Sequence, residues 1–167
     1  MIRVLFVCLG NICRSTMAEG IFQRLVLEAG LAASIETDSA GTGAWHIGSP
    51  PHPRTAALLN SKGITGYQHR ARQIQRDDFR IFDYILTMDD ENLADVRLLG
   101  GFGKAKVAPL MEYAPQLGVY EVPDPYHTNR YEEVYALVSV ACAELLVAIR
   151  EENASLLAVT TKTAERS

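Results

Sequence analysis

Cysteine and long apolar runs are both scarce in this sequence. Three cysteines stand among 167 residues, an odd number with none at the paired spacing of a zinc finger. That argues against a disulfide-stapled secreted scaffold, and a reducing cytoplasm fits best. No apolar stretch reaches the roughly 18 residues that a transmembrane helix needs. A signal peptide is not expected either: after Arg3 the short apolar run stops at once at Cys8, without the longer apolar core of such a leader. Positive charge is in short supply, with 16 Lys and Arg against 20 Asp and Glu. The net charge of −4 argues against general affinity for nucleic acid or anionic membrane, so neither is an expected partner. An anionic ligand must be bound locally, against the mean field of the chain. Repeats and a second domain are absent too, and the length suits one domain with a sizeable core.

What is present begins at the N-terminus. Val4-Leu5-Phe6-Val7 is β-branched and aromatic and reads as a buried strand. After Ser15 apolar residues recur at Met17, Ile21, Leu25 and Ala29, the period of a helix. Between them runs Cys8-Leu9-Gly10-Asn11-Ile12-Cys13-Arg14-Ser15. Cys8 therefore ends a strand and Arg14-Ser15 opens a helix. The intervening loop curls over a helix N-terminus, where free backbone N–H groups and the macrodipole favour an anion. A nucleotide-binding Gly-x4-Gly-Lys loop would need a lysine and a second glycine that are missing here. Arginine and the helix N-terminus favour a thiolate, which is the nucleophilic form of cysteine. Gly10 is expected to supply a positive φ. Asn11 tolerates a left-handed backbone and can brace the loop with its amide. Arg14 offers a planar fork to two oxygens of a tetrahedral anion. The hydroxyl of Ser15 can hydrogen-bond the sulfur. The phosphate-binding candidates are thus Leu9, Gly10, Asn11, Ile12, Cys13, Arg14 and Ser15.

Strands and helices alternate along the rest of the chain. Helix 1 is expected over roughly 14–30, strand 2 over 34–40, a loop over 41–53 and a helix over 54–62. A strand follows at roughly 82–88, a short one near 105–109 and a long helix over 130–150. This alternation predicts an α/β fold with a parallel sheet covered on both faces. Ligands then bind at the carboxyl ends of the strands, where Cys8 and Asp89 both fall. Asp124 lies between Pro123 and Pro125, which predicts a stiff, non-helical loop holding one carboxyl at a fixed point. The arginines of 70–76 read as a solvated face, and Asp89-Asp90 as caps of a helix rather than metal ligands.

Beyond the first loop, Asp38-Ser39-Ala40-Gly41-Thr42, Trp45-His46, Pro53-Arg54, His69-Arg70-Ala71-Arg72-Gln73, Phe82-Asp83-Tyr84-Ile85-Leu86, Met88-Asp89 and Asp124-Pro125-Tyr126 follow in order. These blocks resemble the low-molecular-weight protein tyrosine phosphatases, and Trp45-His46-Ile47-Gly48 resembles the bacterial members. The resemblance covers roughly residues 2 to 150. It implies a flavodoxin-like three-layer sandwich with a four-stranded parallel sheet. A single phosphatase domain would occupy 1–150, and an extension over 151–167 would fray. It implies hydrolysis of phosphotyrosine and aryl phosphates through a cysteinyl-phosphate, with Cys8 as nucleophile, Arg14 as phosphate clamp and Asp124 as general acid and base. Trp45, Tyr126 and His127 would form the substrate pocket, while Ser39 and His69 would hold the loop. Cys8 and Cys13 would form a reversible disulfide. No cofactor and no metal is implied. The partners would be phosphotyrosine proteins, among them a bacterial tyrosine kinase, with phosphate and other oxyanions as inhibitors. The chain departs from many relatives at His52, where Asp is common, at Thr16, where Pro is common, and at His127, where eukaryotic members carry Tyr. Arsenate reductases of this fold need further downstream cysteines, and only Cys142 is available.

Overall fold

The computed structural model describes residues 1–158. Its elements are β1 (Ile2–Cys8), α1 (Arg14–Glu28), β2 (Ile35–Gly41), α2 (Pro53–Ser61), α3 (Asp78–Ile81), β3 (Tyr84–Thr87), α4 (Asp90–Leu99), β4 (Lys106–Pro109), α5 (Pro125–Thr128) and α6 (Tyr131–Glu152). The four strands are parallel in the order β2-β1-β3-β4, the expected α/β sandwich. Because β1 is central, it is covered on both faces, and Val4, Leu5, Phe6 and Val7 are all fully buried. The pleat sends alternate side chains to opposite faces. Val4 and Phe6 join a core with Met17 and Phe22 of α1 and Val138 of α6. Leu5 and Val7 join a second core with Ile85, Phe79 and Val96. The rings of Phe6 and Phe22 meet edge to face at 5.5 Å, which fixes α1 against the strand that precedes it.

Two devices bring α1 to the right place. Its C-terminus closes with Gly30 at φ +71°, while Gly30 N donates to Leu27 O and Leu31 N to Val26 O. That pair of bonds turns the chain sharply into β2. Gly41 then ends β2 so close to the first loop that a Cβ there would stand 2.7 Å from Leu9 O. Thr42 N donates to Cys8 O and Gly43 N to Leu9 O, so the loop after β2 lies along the loop after β1.

The structure departs from the sequence reading at three places outside the site. The Pro123-Asp124-Pro125 segment is not wholly non-helical: Asp124 is extended (φ −82°, ψ 107°) and caps the single turn of α5. Proline at the first helical position lacks only an N–H that would have been unpaired there. Residues 110–113 and 115–117 form 3-10 turns where sequence periodicity showed nothing. The extension does not fray from residue 151. α6 continues to Glu152, residues 154–158 are helical, and Leu157 is only 7% exposed. The remainder of that expectation, 159–167, lies outside the described residues. Among the described residues no helix is long and apolar enough to cross a membrane.

A polar clasp explains the ordered end of α6. Tyr84 OH donates to Glu152 Oε2, Asn153 Nδ2 donates to Tyr84 OH, and Lys106 Nζ lies 3.1 Å from Glu152 Oε1. The Tyr84 hydroxyl, more than Lys106, holds the Glu152 carboxyl below the usual carboxylate range. Such a depressed carboxylate contributes stability above its unfolded-state value and loses it as pH falls through the folded one. Tyr84→Phe is expected to cost about 1 kcal/mol at neutral pH by urea unfolding, and the difference should narrow in acid. A cost unchanged into acid would assign it to the uncharged bond from the Asn153 amide to the hydroxyl instead.

Candidate active site

The first loop is built around Asn11. It is 1% exposed and sits at φ +56°, a left-handed conformation that asparagine tolerates better than most side chains. Gly10, expected to take that role, has no positive φ. Its missing side chain serves another purpose, since a Cβ would stand 3.0 Å from His46 Cδ2.

Every polar atom of the Asn11 side chain has a partner, and those partners fix the direction of each bond. The Arg72 backbone N–H can only donate, and it reaches Asn11 Oδ1 at 3.0 Å. His69 Nε2 lies 2.8 Å from the same oxygen and must therefore carry the proton. Asn11 Nδ2 then donates to Ser15 Oγ at 2.9 Å and to Ser39 Oγ at 3.0 Å. Ser39 passes its own hydrogen to Glu19 Oε1 at 2.9 Å. Ser15, with its oxygen already accepting, points its hydrogen at Cys8 Sγ, 3.1 Å away. Asn11 N donates to the same sulfur at 3.3 Å. Two donors converge on Cys8, which suits a sulfur that carries negative charge.

Glu19 anchors this network from below. It is 3% exposed and also accepts from Tyr67 OH at 2.7 Å. Burial pushes its carboxyl up, against the pull of the Tyr67 and Ser39 hydroxyls. His69 Nδ1 lies 3.6 Å from Glu19 and 3.7 Å from Asp38, and burial draws its imidazole down. Glu19, Asp38 and His69 stand close enough to suggest a cation site. Their oxygens are already engaged, however: Asp38 accepts from Ser39 N and Arg72 Nε. The cluster braces the loop. Arg72 is not part of a solvated face, because it also forks onto both oxygens of Asp78.

Arg14 is 3% exposed and lies at the start of α1. Its Nη1 donates to Asp89 Oδ2 at 2.6 Å and to Val122 O at 3.0 Å. Its Nη2 lies 3.6 Å from Asp124 Oδ2. Burial works against the cation, but Cys8, Asp89 and Asp124 together outweigh it and hold the guanidinium charged. Asp89 also caps α4 by accepting from Asn92 N at 2.7 Å, so one carboxylate both starts a helix and aims the arginine. Asp124 accepts from Tyr126 N at 3.1 Å and keeps its other oxygen toward Arg14 and toward His127 Nε2, 3.9 Å away.

These groups share a pocket of about 220 Å³. Cys8, Leu9, Gly10, Ile12, Cys13 and Arg14 form its floor, and Trp45, His46, Asp124, Tyr126 and His127 its walls. Trp45 is 75% exposed and Tyr126 54%, as befits an entrance. Trp45 lies back over Gly43, where a Cβ would come within 1.9 Å of the indole. A larger groove of about 650 Å³ borders β2 near Arg3, Arg24 and Phe82, and no cysteine lines it. Ser39 and His69 stand behind the loop, as placed above. Cys13 is buried, with Sγ 3.6 Å from Tyr131 OH, and burial pushes its thiol up to about 11. Cys142 is fully buried in α6 against Ala18 O.

Sequence reasoning missed Asp89 as the partner of Arg14, Glu19 and Tyr67 as the anchor of the loop, and His46 as a wall. The one signal for Asp89 was its position after a strand on the Cys8 rim.

The chain is similar over most of its length to known proteins. The sequence model of the family described as "Low molecular weight phosphotyrosine protein phosphatase" matches residues 3–155. The chain is 46% identical over 154 residues to the low molecular weight protein-tyrosine-phosphatase YfkJ of Bacillus subtilis, covering 92% of this chain and 99% of that one. The crystal structure of YfkJ superposes with a TM-score of 0.84 over 91% of this chain and 96% of its own. A protein tyrosine phosphatase from Entamoeba histolytica, 30% identical, superposes at 0.85 over 92% and 99% of the two chains. A Drosophila protein named DARP, an arginine phosphatase, is 32% identical and superposes at 0.80 over 88% and 97%.

Asp89→Asn keeps an acceptor for Asn92 but sets an amide against Arg14. kcat/KM for an aryl phosphate is expected to fall about 10- to 100-fold as the guanidinium loses its aim. A change below about twofold would mean that Val122 O and the phosphate suffice to place Arg14.

Proposed function

The chain belongs to the low molecular weight phosphotyrosine protein phosphatase family, and from that premise we propose how its residues divide the hydrolysis of a phosphotyrosine. The tyrosyl ring enters between Trp45 and Tyr126, with His127 at the rim. The phosphoryl oxygens take the backbone N–H groups of residues 9–15 and the fork of Arg14. Cys8 attacks phosphorus in line, the S–P bond forms, and the P–O bond to the phenolic oxygen breaks. Asp124 gives that oxygen its proton. In the second step Asp124 takes a proton from water, the water oxygen displaces sulfur, and phosphate leaves. The phosphoryl group carries charge spread over three oxygens, so positioning and fixed positive field dominate the rate. That field comes from Arg14 and the N-terminus of α1, and the scheme calls on no metal or cofactor.

The observation that carries this reading is the convergence on one pocket of three groups. The Cys8 sulfur faces the Ser15 and Asn11 donors, Arg14 is locked by Asp89, and Asp124 lies 3.6 Å from Arg14. Cys142 is sealed in the core, which disfavours an arsenate-reducing thiol relay. The working unit is the single domain expected over 1–150, acting in the cytoplasm on phosphotyrosine proteins and opposing a bacterial tyrosine kinase. Phosphate and related oxyanions compete for the loop. Oxidation joins Cys8 to Cys13 in a disulfide that a thiol reopens, keeping Cys8 from climbing to sulfinic acid.

Hydrolysis of phosphotyrosine, phosphoserine and phosphoarginine peptides and of nitrophenyl phosphate tests this scheme. Phosphotyrosine is expected to be preferred, and Cys8→Ser to abolish turnover. Asp124→Ala should lower kcat on phosphotyrosine by about 10²- to 10⁴-fold and much less on nitrophenyl phosphate, whose leaving group needs little proton help. Equal losses on both would take the acid role from Asp124. Preference for phosphoarginine would move the substrate class to the one carried in the name of the Drosophila relative.

A further inference from the structure

Cys13 is the end of a hydrogen-bonded chain that the phosphatase chemistry does not use. His52 caps α2, and its Nδ1 accepts from Arg54 N at 3.1 Å, so that nitrogen carries no proton. Tyr131 OH lies 3.3 Å from the same Nδ1, and in that contact it is the donor, sharing the nitrogen's one lone pair with Arg54 N–H. The Tyr131 oxygen is then free to accept from the Cys13 thiol, 3.6 Å away. With the thiol protonated the bonds can run Cys13 S–H to Tyr131 O–H to His52 Nδ1, and once the thiolate forms the Tyr131 hydrogen turns to the sulfur and stabilises it. The ring of Tyr131 is buried and clamped, with the Arg54 guanidinium 4.5 Å above its centre. His52 is only half-buried, so the far end of the chain reaches solvent. Thr55 Oγ1, buried and without a partner in hydrogen-bond geometry, acts on the same sulfur and favours its thiolate.

We propose that Tyr131 and His52 form a proton path for Cys13 when it attacks an oxidised Cys8. The inference rests on the redox reading above and adds to it the residues that make the step fast. A hydroperoxide supplies the oxidising equivalents: the Cys8 thiolate attacks its terminal oxygen, the S–O bond forms as the O–O bond breaks, the other oxygen leaves as alkoxide or hydroxide and takes a proton from solvent, and a sulfenic acid remains. Cys13 Sγ then attacks Cys8 Sγ, the S–S bond forms and the S–O bond breaks. The thiol proton passes to Tyr131 as the Tyr131 proton passes to His52 and on to solvent. The departing hydroxide takes a proton from solvent and leaves as water. Without such a path the step would be slow. With the Cys13 thiol pushed up to about 11, only about one molecule in 10⁴ holds the thiolate at pH 7.

The path depends on His52 being neutral. Burial, then the Arg54 guanidinium and His46, draw its imidazole below the ordinary histidine range. Tyr126 and Tyr131 face it from α5 and α6 with ring centres 6.0 and 5.6 Å away. Cys8, Asp124, Tyr131 and Thr55 are the groups facing Cys13. Disulfide formation is therefore carried at neutral pH and declines in acid as His52 takes up a proton.

The full chain is pulsed with saturating hydrogen peroxide, quenched with a thiol-alkylating reagent and read by mass spectrometry for the Cys8–Cys13 disulfide and for Cys8 sulfinic acid. Parent, Tyr131→Phe and His52→Asn are compared across pH, with turnover of the reduced proteins as the control for folding. Asparagine at 52 can still cap α2 but cannot hold a proton. Both variants are expected to form the disulfide at least about tenfold more slowly and to accumulate sulfinic acid. The acid-side decline of the parent should vanish in His52→Asn. Disulfide formation at the parental rate in both variants would overturn the proposal. In parallel, iodoacetamide alkylation of Cys13 is followed in Cys8→Ser. If the parent forms no disulfide but the two substitutions slow this alkylation, the path stands and the redox reading falls. If neither readout responds, both fall.

Discussion

Asn11 is held in a backbone conformation that few residues accept, and its amide is fully engaged by Ser15, Ser39, His69 and Arg72. The rest of the site depends on that constraint. A loop with many inward N–H groups has no reason of its own to stay open, because unpaired donors gain by turning toward water or toward other acceptors. Asn11 ties the loop to β2 through Ser39 and to the 69–72 segment through His69 and Arg72. It also sets the rotor of Ser15, and so decides that the Cys8 sulfur meets a hydrogen rather than a lone pair. Glu19 supplies the terminal acceptor that makes Ser39 donate in the right direction. A buried polar network of this kind is stable only when every member is satisfied, and here the members around Asn11 are.

Charge is arranged with the same economy. The chain is acidic overall, yet the pocket must hold a dianion beside a cysteine. Arg14 is the cation of the pocket floor, and Asp89 keeps it fixed and charged in a buried position. An arginine stripped of such a partner would be an uncompensated buried charge, a loss on the order of 3–5 kcal/mol. Asp89 and Asp124 differ in role because their surroundings differ. Asp89 is bound at 2.6 Å by Arg14 and by the first turn of α4. Asp124 stands farther off, capped at one oxygen and open to the pocket at the other.

Much of this was legible in the sequence because it is local. The run from Val4 to Ser15 encodes strand, loop and helix within a few residues, and alternation of elements gave the layered parallel sheet. Asp124 stood out between two prolines. What stayed hidden joins distant positions. Asp89 meets Arg14 across 75 residues and Tyr131 meets Cys13 across 118, and neither spacing carries a pattern. The basic run 70–76 looked like surface because composition cannot show that Arg72 finds Asp38 and Asp78. Gly10 drew the positive φ on propensity, but the adjacent Asn11 takes it, since its amide gains four partners there. The end of α6 looked polar and loose until Tyr84 and Lys106 were seen to close on Glu152.

The loop presents one nucleophile, Cys8, to phosphorus. Rapid acid quench of the parent during turnover of an aryl phosphate, followed by mass spectrometry of the peptide spanning residues 4–14, tests it most directly. A phosphoryl group on Cys8 is expected to appear before free phosphate and to decay as phosphate is released. Phosphate appearing with no phosphorylated cysteine, or a phosphoryl group on Cys13 instead, would contradict it.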